Sequence, residues 1–257
     1  RVHRDGRFDL DHLASLLDSS RPGFASLMWA NNETGVVQPM AEVAALVKEA
    51  GWWLHTDAIQ AVAKVPVRVD EVPVDFLSLS GHKFHAPKGV GALYLRKGTP
   101  FEPMIRGGGQ ERGHRSGTEN VPYIVGLGEA ASVMESAATN GKLDRVAALR
   151  DRLERGLLER IPDAEVNGAR DHRTGNVAHI SFPGRSAAEM LPKLDEAGIQ
   201  CSAGSACMTG KGQPSHVQKA MGFTDERAYS SLRLSLSIFT TEEEIDEAIE
   251  QIAAAAG

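Results

Sequence analysis

Residues 74–83 read Val-Asp-Phe-Leu-Ser-Leu-Ser-Gly-His-Lys, an apolar run that leads directly into a lysine. A short apolar run bounded by small residues is typical of a buried strand. In open α/β sheets, ligands gather at the carboxyl ends of the strands. Lys83 is therefore expected at such an edge, where its amine can form a Schiff base with an aldehyde cofactor. On this stretch alone, a solvated surface lysine remains the alternative.

Working outward from this strand, three further short apolar runs predict strands, at residues 25–30, 52–56 and 90–95. A helix is predicted to begin at Pro39 and to end at Gly51. Strands and a helix that alternate with short links are typical of an α/β fold with a largely parallel sheet.

A Gly- and Arg-rich segment at residues 106–120 is predicted to be a long functional loop. A helix is expected from about Pro122 to Ala138, and Asn140-Gly141 breaks it. A long amphipathic helix is predicted from Lys142. We place a domain boundary near residue 140, which divides the chain into a large domain, 1–140, and a small α/β domain, 141–257.

The second half shows its own strand and helix signals. Residues 176–182 predict a strand, and residues 186–189, Ser-Ala-Ala-Glu, predict a capping box for a helix that ends at Gly198. Residues 231–237 alternate, with Leu232, Leu234 and Leu236 on one face of a strand. Residues 240–244 are predicted to cap a last helix, whose inward residues are Ile245, Ala248, Ile249 and Ile252.

Composition narrows the class of protein. The chain has 257 residues, 42% of them hydrophobic, and a net charge of −6. This charge argues against a basic nucleic-acid-binding surface, and no apolar run is long enough to span a membrane. Two cysteines cannot form a disulfide scaffold, and their spacing does not match a zinc site. We expect a cytoplasmic protein without a metal.

Asp57 follows the predicted strand at residues 52–56 and precedes Lys83 by 26 positions. A pyridoxal-phosphate (PLP) ring needs a carboxylate at its pyridine nitrogen, so that the protonated ring can accept electrons from the substrate. A strand-end Asp and a strand-end Lys at this separation indicate a PLP enzyme. A helix N-cap is the alternative role for Asp57 alone.

With these two residues in place, five segments in order resemble the cysteine desulfurases, in the branch that serves iron–sulfur cluster assembly and nitrogen fixation. The segments are residues 31–35, 55–60, 80–83, 115–120 and 205–207. The resemblance implies a PLP-dependent transferase of fold type I, with a large mixed-sheet domain and a small C-terminal domain. It also implies conversion of L-cysteine to L-alanine, with a persulfide formed on the protein.

Carried over by position, the resemblance assigns a role to each matching residue. Lys83 matches the Schiff-base lysine, Asp57 the partner of the ring nitrogen and Cys207 the cysteine that takes the sulfur. The other cofactor ligands implied are Gln60 at the ring hydroxyl, Ser80 and His82 at the phosphate, and Thr118, which reaches the phosphate of the other subunit in a homodimer. Asn32 and Arg233 match residues that hold the substrate carboxylate, and Asn32 is also counted with the cofactor site.

The residues themselves fit some of these roles. Arg233 lies on the non-leucine face of its strand, where a guanidinium can pair with a carboxylate; a structural salt bridge is the alternative. Cys207 lies among small polar residues, which predicts an exposed, mobile nucleophile, and Lys211 nearby can favour its thiolate. Cys201 is predicted to be structural, at the start of a short strand.

The sequence leaves open the function of the chain and the identity of its partners. The roughly one hundred residues that open the family's chains, with a phosphate loop and a histidine that stacks on the ring, are not in this sequence. The alternatives are therefore a silent fragment that acts as an interaction subunit, and another enzyme of this PLP superfamily, such as a selenocysteine lyase or a transaminase. Expected partners are L-cysteine, a second copy of the chain, and a sulfur-acceptor or scaffold protein.

Overall fold

The computed structural model describes residues 1–204 and 213–257. Within them the strands are β1 Phe24–Met28, β2 Trp53–Asp57, β3 Phe76–Ser80, β4 Gly91–Leu95, β5 Glu165–Val166, β6 Val177–Ser181 and β7 Ser231–Ser235. The helices are α1 Leu10–Leu16, α2 Met40–Glu49, α3 Val121–Thr139, α4 Lys142–Arg160, α5 Ala187–Glu196, α6 His216–Ala220, α7 Asp225–Tyr229 and α8 Glu242–Ala256.

The first sheet is mixed and has the order β1-β2-β3-β4. β1, β2 and β3 are parallel, as the sequence predicts, but β4 runs antiparallel to β3. Only ten residues join β3 to β4, and a parallel return requires a longer crossover. The expectation of a largely parallel sheet is therefore correct for three of its four strands, and the mixed large sheet of the expected fold class is confirmed.

α2 covers one face of this sheet. Pro39 precedes its first residue, and Gly51, whose φ is +73°, ends it, as predicted. The backbone N–H of Gly51 donates to the carbonyl of Lys48, so the left-handed residue completes the C-terminal hydrogen bonds of the helix. Val43 and Val47 pack against Leu54 and Leu77 in a core that lies between α2 and the sheet.

The second sheet is antiparallel, with the order β5-β6-β7. The predicted alternation in β7 is confirmed, because Leu232 and Leu234 are buried in the core that α4, α5 and α8 share. α8 begins with a complete capping box: the Thr241 hydroxyl accepts from the Glu244 N–H, and the Glu244 carboxylate accepts from the Thr241 N–H.

The capping box predicted for α5 is wrong. Ser186 does precede the helix, but its carbonyl oxygen, rather than its hydroxyl, accepts the Glu189 N–H at 3.0 Å. The first turn of α5 is therefore closed by the backbone alone. The helix ends at Glu196, and Gly198 follows in the left-handed conformation, in agreement with the predicted stop.

α3 and α4 follow each other in the chain and are separated at Asn140 and Gly141, as predicted. α3 buries only Ala130, Met134 and Ala137, and its first turns expose a row of apolar side chains, Val121, Tyr123, Ile124 and Val125.

The domain boundary near residue 140 stays a prediction. Among the described residues, no helix is both long and apolar enough to cross a membrane.

Candidate active site

Lys83 lies where the sequence predicts, just beyond the carboxyl end of β3. A single 3-10 turn, Gly81–Phe84, follows the strand and leaves the Lys83 side chain exposed. A Cβ on Gly81 would lie 2.8 Å from Ala86 Cβ and from Leu127 Cδ1, so a larger residue there would push the turn away from α3. The glycine therefore allows the turn, and with it Lys83, to sit close to the helix.

Ser80 and His82 flank this turn and contact each other, with 2.9 Å between Ser80 Oγ and His82 Nδ1. Both residues are the ones that the sequence analysis expects to bind a phosphate. A hydroxyl and an imidazole held side by side at a strand end are suitable donors for an anion. The structure supports their proximity, and their ligand remains a prediction.

Asp57 ends β2, the strand next to β3. Its Oδ1 accepts the Ile59 N–H at 2.9 Å, and its carbonyl accepts the Trp29 N–H at 2.9 Å. It pairs in register with Ser78, two residues before the end of β3. Because β1, β2 and β3 are parallel, Asp57 and the turn that carries Lys83 lie at the same edge of the sheet. The bond to Ile59 also fits the alternative cap-like role.

A row of polar side chains crosses the face of the first sheet on which Asp57 lies. His55 Nδ1 lies 2.7 Å from Ser26 Oγ, and His55 Nε2 lies 2.8 Å from Ser78 Oγ, so one imidazole links three strands. Burial lowers the pKa of His55, although the charge of Asp57 opposes this. A neutral ring that donates to one serine and accepts from the other fits this arrangement.

Gln60 lies in the turn after β2, and its side-chain oxygen accepts a hydrogen bond from Lys64 Nζ at 3.1 Å. Sequence reasoning missed Lys64, because a single lysine in a turn carries no signal of its own. Burial, and then the charge of Lys83, lower the pKa of Lys64 to about 8. The structure thus adds a second amine beside the predicted Schiff-base lysine.

Asn32 and Arg233 are 201 positions apart in the chain, and the fold brings them together. Arg233 Nη1 donates to the backbone carbonyl of Asn32 at 2.9 Å. The Asn31 side chain accepts the N–H groups of Glu33 and Thr34 and so shapes the turn that presents this carbonyl. The two residues predicted to hold a substrate carboxylate are therefore neighbours.

Glu33 is a further residue that sequence reasoning did not single out. Its side chain is only 1% exposed, and its Oε2 accepts a hydrogen bond from Ser215 Oγ at 2.5 Å. Ser215 also caps α6 by accepting the Gln218 N–H. A buried carboxylate of the 31–35 turn therefore connects this turn to α6, near the contact between Asn32 and Arg233.

Thr118 is exposed in the segment between β4 and α3, which contains one 3-10 turn, Gln110–Gly113. The prediction that it serves a neighbouring subunit stays a prediction. Glu111 and Arg112 have left-handed φ angles of 50° and 59°, an uncommon conformation for residues other than glycine. The expected long loop is thus present, with one short turn inside it.

The two cysteines differ in what the structure describes. Cys207, predicted to take the sulfur, and Lys211 lie outside the described residues. Cys201 is half-buried against the larger core, and burial raises its pKa to about 11, so its thiol is protonated at neutral pH. It lies just before a single bridge between Ser202 and Arg233, rather than in the short strand that we expected.

The residues at this edge fit a PLP group in their chemistry. An exposed amine, a carboxylate at the adjacent strand end and a paired hydroxyl and imidazole are the groups that an aldehyde, a pyridine nitrogen and a phosphate require. Among the described residues, no group of three or more His, Cys, Asp or Glu side chains is placed to hold a metal ion.

Comparison with known proteins identifies the family of the chain. The model of the aminotransferase class-V family matches residues 1–248. The cysteine desulfurase NifS of Azotobacter vinelandii is 49% identical over 255 residues, which are 98% of this chain and 62% of the relative. A cysteine desulfurase of Cereibacter sphaeroides is 50% identical over 254 residues, 97% of this chain and 64% of the relative.

A solved structure of a NifS-like protein from Rickettsia africae superposes with a TM-score of 0.89 at 32% identity, covering 99% of this chain and 68% of that one. The resemblance inferred from the five sequence segments is thereby confirmed. The chain spans 62% and 64% of the lengths of the two curated relatives.

Proposed function

We propose, because the chain belongs to the class-V aminotransferase family, that the protein is a PLP-dependent cysteine desulfurase. It would convert L-cysteine to L-alanine and form a persulfide on Cys207, which supplies sulfur for iron–sulfur clusters or other thio-cofactors. The observation that carries this proposal is the exposed Lys83 amine at the strand edge that Asp57 shares. The 49% identity to a cysteine desulfurase supports the choice of reaction.

PLP, when bound, supplies an aldehyde that reacts with amines and a ring that accepts electrons from the bond being broken. In this proposal Lys83 holds the cofactor and then moves a proton to and from the substrate carbon. Asp57 keeps the proton on the ring nitrogen, and the Gln60 amide contacts the ring hydroxyl. Ser80 and His82 bind the phosphate, while Arg233 and Asn32 orient the substrate carboxylate.

The sulfur transfer balances without an external oxidant. The Cys207 thiolate attacks the sulfur of L-cysteine, an S–S bond forms, and the Cβ–S bond breaks. The electron pair of the broken bond goes to Cβ, which then takes a proton, so alanine leaves and Cys207 carries the persulfide. A transaminase has no need of such a cysteine, which favours sulfur chemistry over that alternative.

The partners follow from the same proposal. Thr118 can contribute to the site of a neighbouring subunit only if the protein is a dimer, and twofold dimers are the commonest closed assemblies. We therefore propose a homodimer with the segment 106–120 at or near its interface. The outer sulfur of the persulfide must also be transferred to an acceptor protein. We expect this transfer to take place in a reducing compartment such as the cytoplasm.

The proposal is tested first through Lys83. The protein incubated with PLP should show a visible absorption band, and L-cysteine should yield alanine. The Lys83→Ala variant should lose both, because it lacks the amine that binds the aldehyde. Lys88→Ala, another exposed lysine on the loop before β4, is the matched control and should retain both. A band that survives in Lys83→Ala would contradict the cofactor assignment.

The two cysteines provide the second test. After incubation with L-cysteine, mass spectrometry should find added sulfur on Cys207 in the wild type. Cys207→Ser should retain the PLP band and lose the persulfide, because a serine hydroxyl cannot hold sulfane sulfur. Cys201→Ser should keep the persulfide. Sulfur that remains in Cys207→Ser and disappears in Cys201→Ser would reverse the roles of the two residues.

A further inference from the structure

A small cavity of roughly 70 Å³ is lined by both Lys83 and Lys64. His85 and Asn176 also line this cavity, and the rest of its wall is mainly apolar. The side-chain oxygen of Asn176 is buried and has no hydrogen-bond partner among the residues that the structure describes. The two lysines of the site thus line one partly open cavity with a mainly apolar wall, in which polar contacts are scarce and each one matters.

The backbone on both sides of this cavity adopts a conformation that residues with a side chain rarely take. Ala63, next to Lys64, has φ +65°, and His85, two residues after Lys83, has φ +73°. Left-handed residues other than glycine persist where the surrounding structure holds them, and they cluster at functional sites. The placement of Lys64 and Lys83 is therefore determined by strained turns on each side.

The contact that gives Lys64 a role is its hydrogen bond to Gln60 Oε1, at 3.1 Å. An ammonium group can only donate hydrogen bonds, whereas an amide has one end that accepts and one end that donates. Lys64 must therefore face the oxygen of Gln60. The NH₂ group of Gln60 is then turned away from Lys64 and left to donate elsewhere.

The charged groups around Lys64 make this contact important. Lys83 and His85 line the same cavity, and none of its lining residues in the described part of the chain carries a carboxylate. Burial and the charge of Lys83 lower the pKa of Lys64, and burial followed by the charge of Lys64 lowers the pKa of His85. The oxygen of Gln60 is thus a polar atom that stabilises the Lys64 ammonium in this setting.

We propose that Lys64 is a positioning residue, which orients the Gln60 amide so that its N–H groups point into the cofactor site. The amide then selects a ligand oxygen that accepts hydrogen bonds, such as the deprotonated hydroxyl of an aromatic ring. This inference rests on the proposed function, since it concerns the ring oxygen of PLP. It adds a residue that acts on the cofactor through Gln60 and does not touch it.

The test is the pH midpoint of the visible absorption change of PLP bound to the whole protein. This midpoint reports the proton shared between the ring oxygen and the Lys83 nitrogen. A donor at the ring oxygen weakens that oxygen's hold on the proton, so loss of the oriented amide should raise the midpoint. For Lys64→Met we expect a rise of about one pH unit, and for Lys64→Arg, which keeps a donor, a midpoint close to that of the wild type.

The same change made in a Gln60→Ala variant distinguishes an effect of Lys64 on the orientation of the Gln60 amide from an effect of the Lys64 charge. Gln60→Ala should raise the midpoint by itself, and adding Lys64→Met to it should cause no further change, because Lys64 then has no amide to orient. A shift of full size in the Gln60→Ala background would show that Lys64 acts through its charge, and would overturn the proposal. An unchanged midpoint in Lys64→Met would overturn it as well. A wild-type protein without a visible band would instead contradict the proposed function.

Discussion

The two sheets of the molecule differ in how their faces are covered. In the first sheet, α2 buries the face that carries Leu54 and Leu77, while the opposite face leaves Phe24 55% and Trp53 38% exposed. In the second sheet, every residue of the central strand β6 is buried, on both faces. Its apolar face packs on α4 and α8, and its polar face contains a hydrogen-bonded cluster around Asn167.

This difference distinguishes an open face of the first sheet from the buried core of the second. Side chains alternate along a strand, so Asp57 lies on the same, less covered face as Trp53 and His55. Asp57, proposed to hold the ring nitrogen, therefore lies on a surface that a ligand can reach. In the second sheet, β6 is buried throughout and indicates a scaffold, whereas Arg233 of β7 is half-buried and belongs to the proposed substrate site. Variants on the open face of the first sheet should consequently affect activity, and variants in the buried core of the second sheet should affect stability.

The largest effect on stability is expected in the second sheet. Leu232 is fully buried, so Leu232→Ala should lower the free energy of unfolding by about 2–5 kcal/mol through lost burial and a new cavity. Phe24→Ala, on the open face of the first sheet, should change it by less than about 1 kcal/mol. Urea denaturation of both variants measures this. Similar losses in the two would show that the open face contributes to the core after all.

The second effect concerns catalysis on the first sheet. Asp57→Asn should lower kcat/KM for L-cysteine by about 100-fold or more, because an amide cannot hold the ring proton electrostatically. Its free energy of unfolding should stay within about 0.5 kcal/mol of the wild type.

Asp75 provides the matched control for Asp57. It is 3% exposed, accepts the Leu54 N–H at 2.7 Å and pairs with Lys48. Asp75→Asn should therefore lower the free energy of unfolding by about 1–3 kcal/mol, with kcat/KM per folded molecule nearly unchanged. The opposite pattern in the two variants would contradict the division between chemistry and stability.

A further effect is a pH dependence that comes from the second sheet. Burial, and then the charges of Arg233 and Arg227, lower the pKa of His179 to about 3, and its Nδ1 lies 3.0 Å from Asn167 Nδ2, which can only donate. His179 is therefore neutral in the folded protein. Its unfolded form takes up a proton near pH 6.5, so the stability that the neutral ring provides is present above that pH and is lost as the pH falls towards 3.

Urea denaturation at several pH values measures this contribution. Between pH 6 and pH 4, the wild type should lose up to about 1.4 kcal/mol per pH unit relative to His179→Asn. His55→Asn, on the open face of the first sheet, is the comparison variant and should change the pH dependence less, because His55 is only half-buried. Equal slopes for the wild type and His179→Asn would show that His179 does not set this dependence.

Sequence reasoning predicted β1 to β4, β6 and β7 with small errors at their ends, and it did not predict the two-residue strand β5. Apolar runs located β1 to β4, and the alternation of leucines located β7, since periodicity records which face of an element is buried. The capping box of α5 was wrong, because a Ser-x-x-Glu pattern cannot show whether the hydroxyl or the carbonyl closes the first turn. Lys64 and Glu33 were missed, because their roles depend on contacts rather than on local pattern.

By itself, the sequence determined the fold class, the family and the identity of Lys83 and Asp57 as candidate site residues. These follow from local periodicity and from five ordered segments, which are properties of neighbouring residues in the chain. Only the tertiary structure decided that Asn32 meets Arg233, that Lys64 contacts Gln60, and that one face of the first sheet is open while β6 is buried on both faces. Such contacts join residues of different turns and strands, and their geometry depends on how the elements pack, which no local pattern specifies.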